Sequence, residues 1–136
     1  MKTDDHLLLG KYLLNMKKIK LSLLKEKWFL IGCVEPDYNP FTYIRGSIKH
    51  KLLHGHNAPN CKKHIDRIVE KLSCTTISTP YQWFLLGTAV HYIADCFTFA
   101  HNEFFTGGMA QHMKYEMLLQ PIFHNFVNEL KEPQNK

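Results

Sequence analysis

The segment TAVHYIADCFTFAHN, residues 88–102, places two histidines and an aspartate, His91, Asp95 and His101, in a stretch that is otherwise mostly apolar. His91 and Asp95 are four residues apart, so on a helix both side chains point to the same side, and His101 follows near the end of the segment. Burying any one of them costs free energy unless a partner satisfies it. A fold that buries this segment must therefore supply a partner to all three, and a metal ion is one that could serve them together.

The hydrophobic periodicity of the chain is helical almost throughout, and no alternating pattern typical of a strand extends beyond a few residues. The pattern predicts helices over 5–16, 22–32, 58–72, from about 80 to about 100, and 109–131, and the fourth of these is expected to be the longest. The predicted fold is all-α, a compact single-domain bundle of about five to six helices with a metal cluster between them.

Local signals predict where individual helices begin and end. Asp4 or Asp5 is expected to cap the first helix, and Ser78 or Thr79 is expected to cap the fourth. Gly32 precedes a segment rich in Pro, Asn and Asp, which is typical of a loop. We therefore expect the second helix to end at Gly32.

Composition limits the class of protein. With 136 residues, 45% of them hydrophobic and 21% charged, the chain is expected to form one soluble domain over 1–136. No apolar run approaches the ~20 residues that span a bilayer, and the N-terminus lacks the features of a signal peptide, so a cytoplasmic location is expected. The four cysteines form no CxxC pair, which favours reduced thiols and argues against a zinc site built from thiolates. The net charge of +5 fits either a solvated lysine surface or attraction to an anionic partner.

A second pair of titratable residues, His112 and Glu116, repeats the spacing of His91 and Asp95 on the next predicted helix. Imidazole nitrogen together with carboxylate oxygen suits zinc better than calcium, which prefers oxygen ligands. Either pair alone is more often an ordinary helix pair, but two pairs on adjacent helices, with a further His between them, favour a metal site. Other candidate ligands near the first helix and in loops are His6, Asp37, His50, His54 and His56.

The spacing His91-x-x-x-Asp95-x-x-x-x-x-His101, followed by His112-x-x-x-Glu116, resembles that of the zinc-dependent phospholipase C family. That family shares its fold with the S1/P1-type nucleases. The segments IGCVEPD and HLLLGKYLL stand where its earlier ligands lie, so the resemblance covers most of the chain.

The resemblance implies a set of ligands for each of two zinc ions and part of a set for a third. Those of the first ion are Asp37, His56, His91 and Asp95, and those of the second are His101, His112 and Glu116. A third ion would use His6, with Asp95 bridging to the first. His56 is preferred to His54 as a ligand because Gly55 and Asn57 allow a close approach to a metal.

Two features of the chain depart from the family pattern. The secreted members bind the third zinc through the amino group and carbonyl of an N-terminal Trp, whereas here Met1 stands five residues before His6. Phe99 occupies the position of a Pro in the family signature, which is expected to alter the helix end near His101.

The reaction that the resemblance implies is hydrolysis of a phosphate ester or diester, with phospholipid as the expected substrate, contact with a membrane surface, and Zn²⁺ as the cofactor. Asp37 is the candidate to orient or deprotonate the attacking water. An S1/P1-like single-strand nuclease or phosphatase that binds nucleic acid or another phosphate ester, and a non-catalytic metal-stabilised helical binding module, remain alternatives. Aromatic residues expected near the mouth of the site are Tyr38, Phe41, Tyr43, Phe104 and Phe105.

Overall fold

The computed structural model describes residues 1–16, 19–45 and 55–131, and all the regular structure within these ranges is helical, as predicted. Six α-helices and one short 3-10 helix follow each other along the chain. They are α1 (Thr3–Met16), α2 (Leu23–Tyr38), α3 (Pro40–Tyr43), α4 (Ala58–Ser73), α5 (Pro80–Cys96), the 3-10 helix (Phe99–His101) and α6 (Met109–Lys131).

Helices α2 and α5 form the centre of the bundle, and two glycines allow their backbones to approach closely. A Cβ atom on Gly32 would lie 2.1 Å from the carbonyl oxygen of Phe84, and one on Gly87 would lie 2.1 Å from that of Phe29. Helix α1 packs against α2, α4 packs against α5, and α6 packs against α1 and the 3-10 helix. The contact between α2 and α5 therefore fixes the position of the helix that carries His91 and Asp95.

The expectation that the second helix ends at Gly32 is wrong. Helix α2 continues to Tyr38, with Pro36 in its last turns. Gly32 lies inside the helix because its missing side chain is needed for packing against α5, a tertiary requirement that local sequence does not reveal. As a result, Asp37 lies on a rigid helix rather than in a loop.

The ends of α1 and α5 also differ from expectation. Asp4 and Asp5 lie inside the first turn of α1, which begins at Thr3, and neither is its N-cap. Helix α5 has the predicted cap, Thr79, but it ends at Cys96, short of residue 100. Its end is closed by Thr98, whose amide and hydroxyl groups both donate to the Asp95 carbonyl.

Helix α6 has the predicted bounds, but with 23 residues it is longer than the 17-residue α5, which was expected to be the longest helix. Val127 is its one buried residue. None of the helices in the described ranges is both long enough and apolar enough to cross a bilayer. The large apolar side chains that α6 exposes are Met109, Met113, Met117, Leu118, Ile122, Phe126 and Leu130.

We predict that Gly87→Ala destabilises the protein by about 2 kcal/mol or more, because the added methyl group would overlap the Phe29 carbonyl and push α2 away from α5. Urea unfolding followed by circular dichroism measures the change in the free energy of unfolding. Gly108→Ala is the matched control, since a Cβ atom there meets nothing within 4 Å. Equal stability of the two variants would contradict the close packing of α2 on α5.

Candidate metal centre

Every residue proposed as a metal ligand in the sequence lies within the described ranges, except the alternative ligand His54, which lies outside them together with His50. The bundle brings these side chains together from four α-helices, the 3-10 helix and the turn before α4. They are His6 on α1, Asp37 on α2, His56 before α4, His91 and Asp95 on α5, His101 on the 3-10 helix, and His112 and Glu116 on α6.

The first group of candidate ligands surrounds the side chain of His91. One ligand atom each from Asp37, His56 and His91 lie within 4.8 Å of one another. His91 Nε2 is 3.6 Å from Asp37 Oδ1 and 3.4 Å from Asp95 Oδ2. His56 Nδ1 is 3.7 Å from Asp37 Oδ1 and 3.6 Å from Asp95 Oδ2. These four residues are the set that the family resemblance implies for one zinc ion.

The second group consists of His101, His112 and Glu116, whose ligand atoms also lie within 4.8 Å of one another. The Nε2 atoms of the two histidines are 3.1 Å apart. Glu116 Oε1 is 3.1 Å from His112 Nε2 and 3.7 Å from His101 Nε2. The four-residue spacing of His112 and Glu116 thus gives the shared direction that was predicted, and the 3-10 helix supplies the third side chain.

The third group joins His6 to His91 and Asp95. His6 Nε2 is 3.1 Å from Asp95 Oδ1, and its ring stacks on that of His91 with centroids 3.8 Å apart. The amino nitrogen of Met1 is 2.6 Å from the same Oδ1 and 3.1 Å from Glu116 Oε1. Asp95 therefore directs Oδ2 towards the first group and Oδ1 towards His6, Met1 and His101.

Several of these atoms are buried without the hydrogen bonds that normally accompany burial. Asp95 and His91 are fully buried, and His6 and His101 are 1% and 4% exposed. A buried polar atom without a partner costs free energy. Several such nitrogen and oxygen atoms that converge on one place could instead bind a metal ion. The cluster atoms that lack a hydrogen-bond partner in the described part of the chain are His6 Nδ1, His6 Nε2, His91 Nε2, Asp95 Oδ2 and His101 Nδ1.

Two carboxyl groups of the cluster, those of Asp95 and Glu116, have pKa values below the usual range. Burial by itself would raise the pKa of Asp95, but the surrounding imidazoles, that of His56 foremost, outweigh burial and hold the pKa well below its usual value. Burial also acts to raise the pKa of Glu116, yet the contacts with His112 and the Met1 amino group lower it to about 2. Both side chains therefore present the negative oxygen atoms that a cation binds.

Two imidazoles of the cluster are held neutral, which is the form that binds metal. Burial lowers the pKa of His6, and it lowers the pKa of His101 to about 3. His91 differs: burial alone would lower its pKa, but the contact with Asp95 and the charge of Asp37 raise it. A proton on His91 Nε2 would therefore compete with a metal ion for the first group.

Some contacts that orient these imidazoles were not predicted from the sequence. The Nδ1 atom of His91 donates to the backbone carbonyl of Cys33, at 2.8 Å, which leaves Nε2 to face the cluster. His56 contacts the hydroxyl of Thr42 and stacks on the ring of Tyr43. A backbone carbonyl has no sequence signal, and Thr42 is separated from His56 by residues 43–55, so neither contact could be read from local spacing.

A half-buried pair, Asp5 and His124, links α1 to α6 beside the cluster. Asp5, which is fully buried, accepts from the Lys2 amide at 3.2 Å and lies 2.9 Å from His124 Nε2. From the sequence alone, only a capping role is expected for Asp5 and no role for His124. The one local sign that Asp5 lies near the cluster is that it precedes His6. Its partner His124 is 119 residues away, so this contact could not be read from local sequence.

An open cavity of about 540 Å³ leads to the cluster. Of the aromatic residues expected at its mouth, Tyr38 and Tyr43 line it, whereas Phe104 lines a second cavity beside α4. Phe41 is exposed and Phe105 is buried. Residues of the first cavity that bear on its chemistry are Lys2, Asp37, His56, His101, Met109, His112, Met113 and Glu116.

Comparison with known proteins agrees with this geometry. A family model described as zinc-dependent phospholipase C matches residues 5–136 and so includes every candidate ligand from His6 to Glu116. No curated protein and no solved structure gives a significant match. The match to the family model covers nearly all of the sequence, and the chain therefore belongs to the zinc-dependent phospholipase C family.

Proposed function

We propose that this protein is a zinc-dependent hydrolase of phosphate diesters that acts on phospholipid headgroups. The observation that carries the proposal is the convergence of three groups of nitrogen and oxygen ligands around Asp95, in a cluster that an open cavity reaches. Membership of the zinc-dependent phospholipase C family supports both the metal and the class of substrate.

The proposed ligands fall into the three groups described above. Asp37, His56, His91 and Asp95 would hold one zinc ion, and His101, His112 and Glu116 a second. His6 and Asp95 would contribute to a third. The lowered pKa values of His6, His101, Asp95 and Glu116 suit zinc binding, and coordination would satisfy the buried atoms that lack a hydrogen-bond partner. Zinc bound here would supply Lewis-acid chemistry to a phosphoryl group.

Asp37 is the proposed catalytic residue because it belongs to the cluster and also lines the cavity. Its Oδ1 faces His56 and His91, and its Oδ2 accepts a hydrogen bond from the Thr3 hydroxyl at 2.8 Å. The Thr3 contact fixes the carboxylate so that it can orient the attacking water and take up its proton. Asp37 lies in the last turn of α2, which sets the direction of its side chain.

The wall of the cavity favours a lipid substrate over a nucleic acid. Tyr38, Met109 and Met113 line the cavity and are all more than half exposed, so they surround a polar floor with apolar surface. A single-strand nuclease would instead need cations along the phosphate backbone and aromatic rings for stacking. Lys2 is the cationic side chain that the described residues place in this lining, and its Nζ already donates to Gln120. The apolar rim would contact the surface of a lipid aggregate.

We predict two to three zinc ions per chain in protein purified without chelator or affinity tag, and fewer in His91→Ala and in His112→Ala. The first variant removes a ligand from the first and third groups, and the other variant removes one from the second group. Elemental mass spectrometry measures the content. His64→Ala is the control, since His64 belongs to none of the three groups. Folded wild-type protein without zinc would refute the proposed centre.

We predict that Asp37→Asn lowers the hydrolysis of detergent-dispersed phosphatidylcholine by roughly 100-fold or more, because the amide cannot take up a proton from water. Release of phosphocholine measures the rate. Asp66→Asn removes an exposed carboxyl outside the cluster and should leave the rate unchanged. Hydrolysis of single-stranded nucleic acid in place of lipid would favour the nuclease, and no hydrolysis of either substrate would favour the binding module.

We predict that the double variant Met109→Ser and Met113→Ser loses more activity on phosphatidylcholine vesicles than on a short-chain phosphatidylcholine dispersed as monomers. The reason is that polar side chains in the rim weaken contact with a lipid surface more than contact with a single molecule. Met16→Ser, on the exposed side of α1, serves as the control. Equal losses on both substrates would mean that the rim does not contact the lipid surface.

A further inference from the structure

His56 differs from the other candidate ligands in that it lies outside the helices, in the turn before α4. Its position depends on α3. The amide of Gly55 donates to the carbonyl of Tyr43 at 2.8 Å. A Cβ atom on Gly55 would lie 1.8 Å from the carbonyl oxygen of Thr42, so only glycine allows this approach. Residues 55 and 56 are therefore packed directly against the backbone of α3.

The hydroxyl of Thr42 lies at the centre of this contact and is buried. Its Oγ1 atom is 2.6 Å from the carbonyl oxygen of Pro36, 2.7 Å from that of Asn39 and 2.9 Å from His56 Nε2. A hydroxyl has one hydrogen to donate, and a carbonyl oxygen can only accept. If the hydroxyl donated to His56, its oxygen would face both carbonyl oxygens with no hydrogen between them. The hydrogen therefore goes to the carbonyls, and Oγ1 accepts from His56 Nε2–H.

This arrangement decides which nitrogen of His56 is free. A neutral imidazole carries one hydrogen, so a proton on Nε2 leaves a lone pair on Nδ1. Nδ1 lies 3.7 Å from Asp37 Oδ1 and 3.6 Å from Asp95 Oδ2. The ring of Tyr43, stacked on His56 with centroids 4.4 Å apart and planes 15° apart, fixes the rotation of the imidazole. The lone pair is thus aimed into the first ligand group, towards the position that a cation held by Asp37 and Asp95 would occupy.

We infer that Thr42 is a positioning residue of the first zinc site. Its hydroxyl accepts a hydrogen bond from His56 Nε2–H, keeps the hydrogen on Nε2 and so directs Nδ1 to the metal. The inference rests on the proposed function, because it requires His56 to be a zinc ligand. The Cys33 carbonyl serves His91 in the corresponding way, at 2.8 Å from Nδ1. That partner is a backbone atom, whereas Thr42 acts through a side chain that can be replaced.

The matched variants are Thr42→Val, which keeps the shape of the side chain and removes the hydroxyl, and Thr42→Ser, which keeps the hydroxyl and removes the methyl group. We expect Thr42→Val to weaken zinc binding at one site by roughly 10- to 100-fold, and Thr42→Ser to bind within about threefold of the wild type. Competition with a chromophoric chelator measures the affinity. The absorption spectrum of the Co²⁺-loaded protein should change in Thr42→Val and be restored in Thr42→Ser.

Unchanged zinc affinity in folded Thr42→Val would overturn the inference, and so would an equal loss in Thr42→Ser, since packing rather than the hydroxyl would then hold the site. In both cases the wild type still binds zinc, so the proposed function stands. Absence of zinc binding by the wild type would instead refute the proposed function.

A measurement on the wild-type protein keeps the inference testable if Thr42→Val does not fold. The ¹⁵N chemical shifts of the histidine rings, recorded on the protein as purified, report which nitrogen carries the hydrogen. We expect His56 to show a protonated Nε2. A hydrogen on Nδ1 would overturn the inference without reference to any variant.

Discussion

The carboxylate of Asp95 is the feature on which the arrangement of the site depends. It is fully buried and ionised, and its two oxygen atoms face different groups of nitrogen atoms. Oδ2 lies 3.4 Å from His91 Nε2, and Oδ1 lies 3.1 Å from both His6 Nε2 and His101 Nδ1. A buried charge of this kind is stable only where opposite charge or coordination compensates it. The elements that carry these imidazoles are therefore positioned around one side chain of α5.

The close approach of α2 and α5 makes this arrangement possible. Gly32 and Gly87 each bring one helix backbone against the other, and this brings the Cys33 carbonyl within reach of His91. A bulkier residue at either position would separate the helices and move Asp37 away from His91. The same contact thus packs the core and sets the distance between the two helices that supply the first group of ligands.

The parts of the site that local sequence encodes could be predicted, and those that depend on tertiary contacts could not. Residues four apart on a helix share a direction, so the pairs His91 with Asp95 and His112 with Glu116 follow from sequence alone. The helix end predicted at Gly32 was wrong because this glycine is needed for close packing against α5, which lies some 50 residues further along the chain. The partners of His91 and His56 were missed for the same reason. The structure brings the candidate zinc ligands together in three groups.

Zinc binding and folding would be linked in this protein if the proposed centre is correct. The unfolded chain does not hold these ligands together, so zinc would bind only the folded form. The free energy of unfolding would then rise with the logarithm of the ratio between the free zinc concentration and the dissociation constant. The cluster costs free energy without a cation, since buried nitrogen and oxygen atoms such as His91 Nε2 and Asp95 Oδ2 have no hydrogen-bond partner in the described structure. In the proposed centre these same atoms would be ligands of the metal, so coordination would offset that cost. The packing of α2 on α5 would position Asp37 and His91, which are 3.6 Å apart, for that coordination.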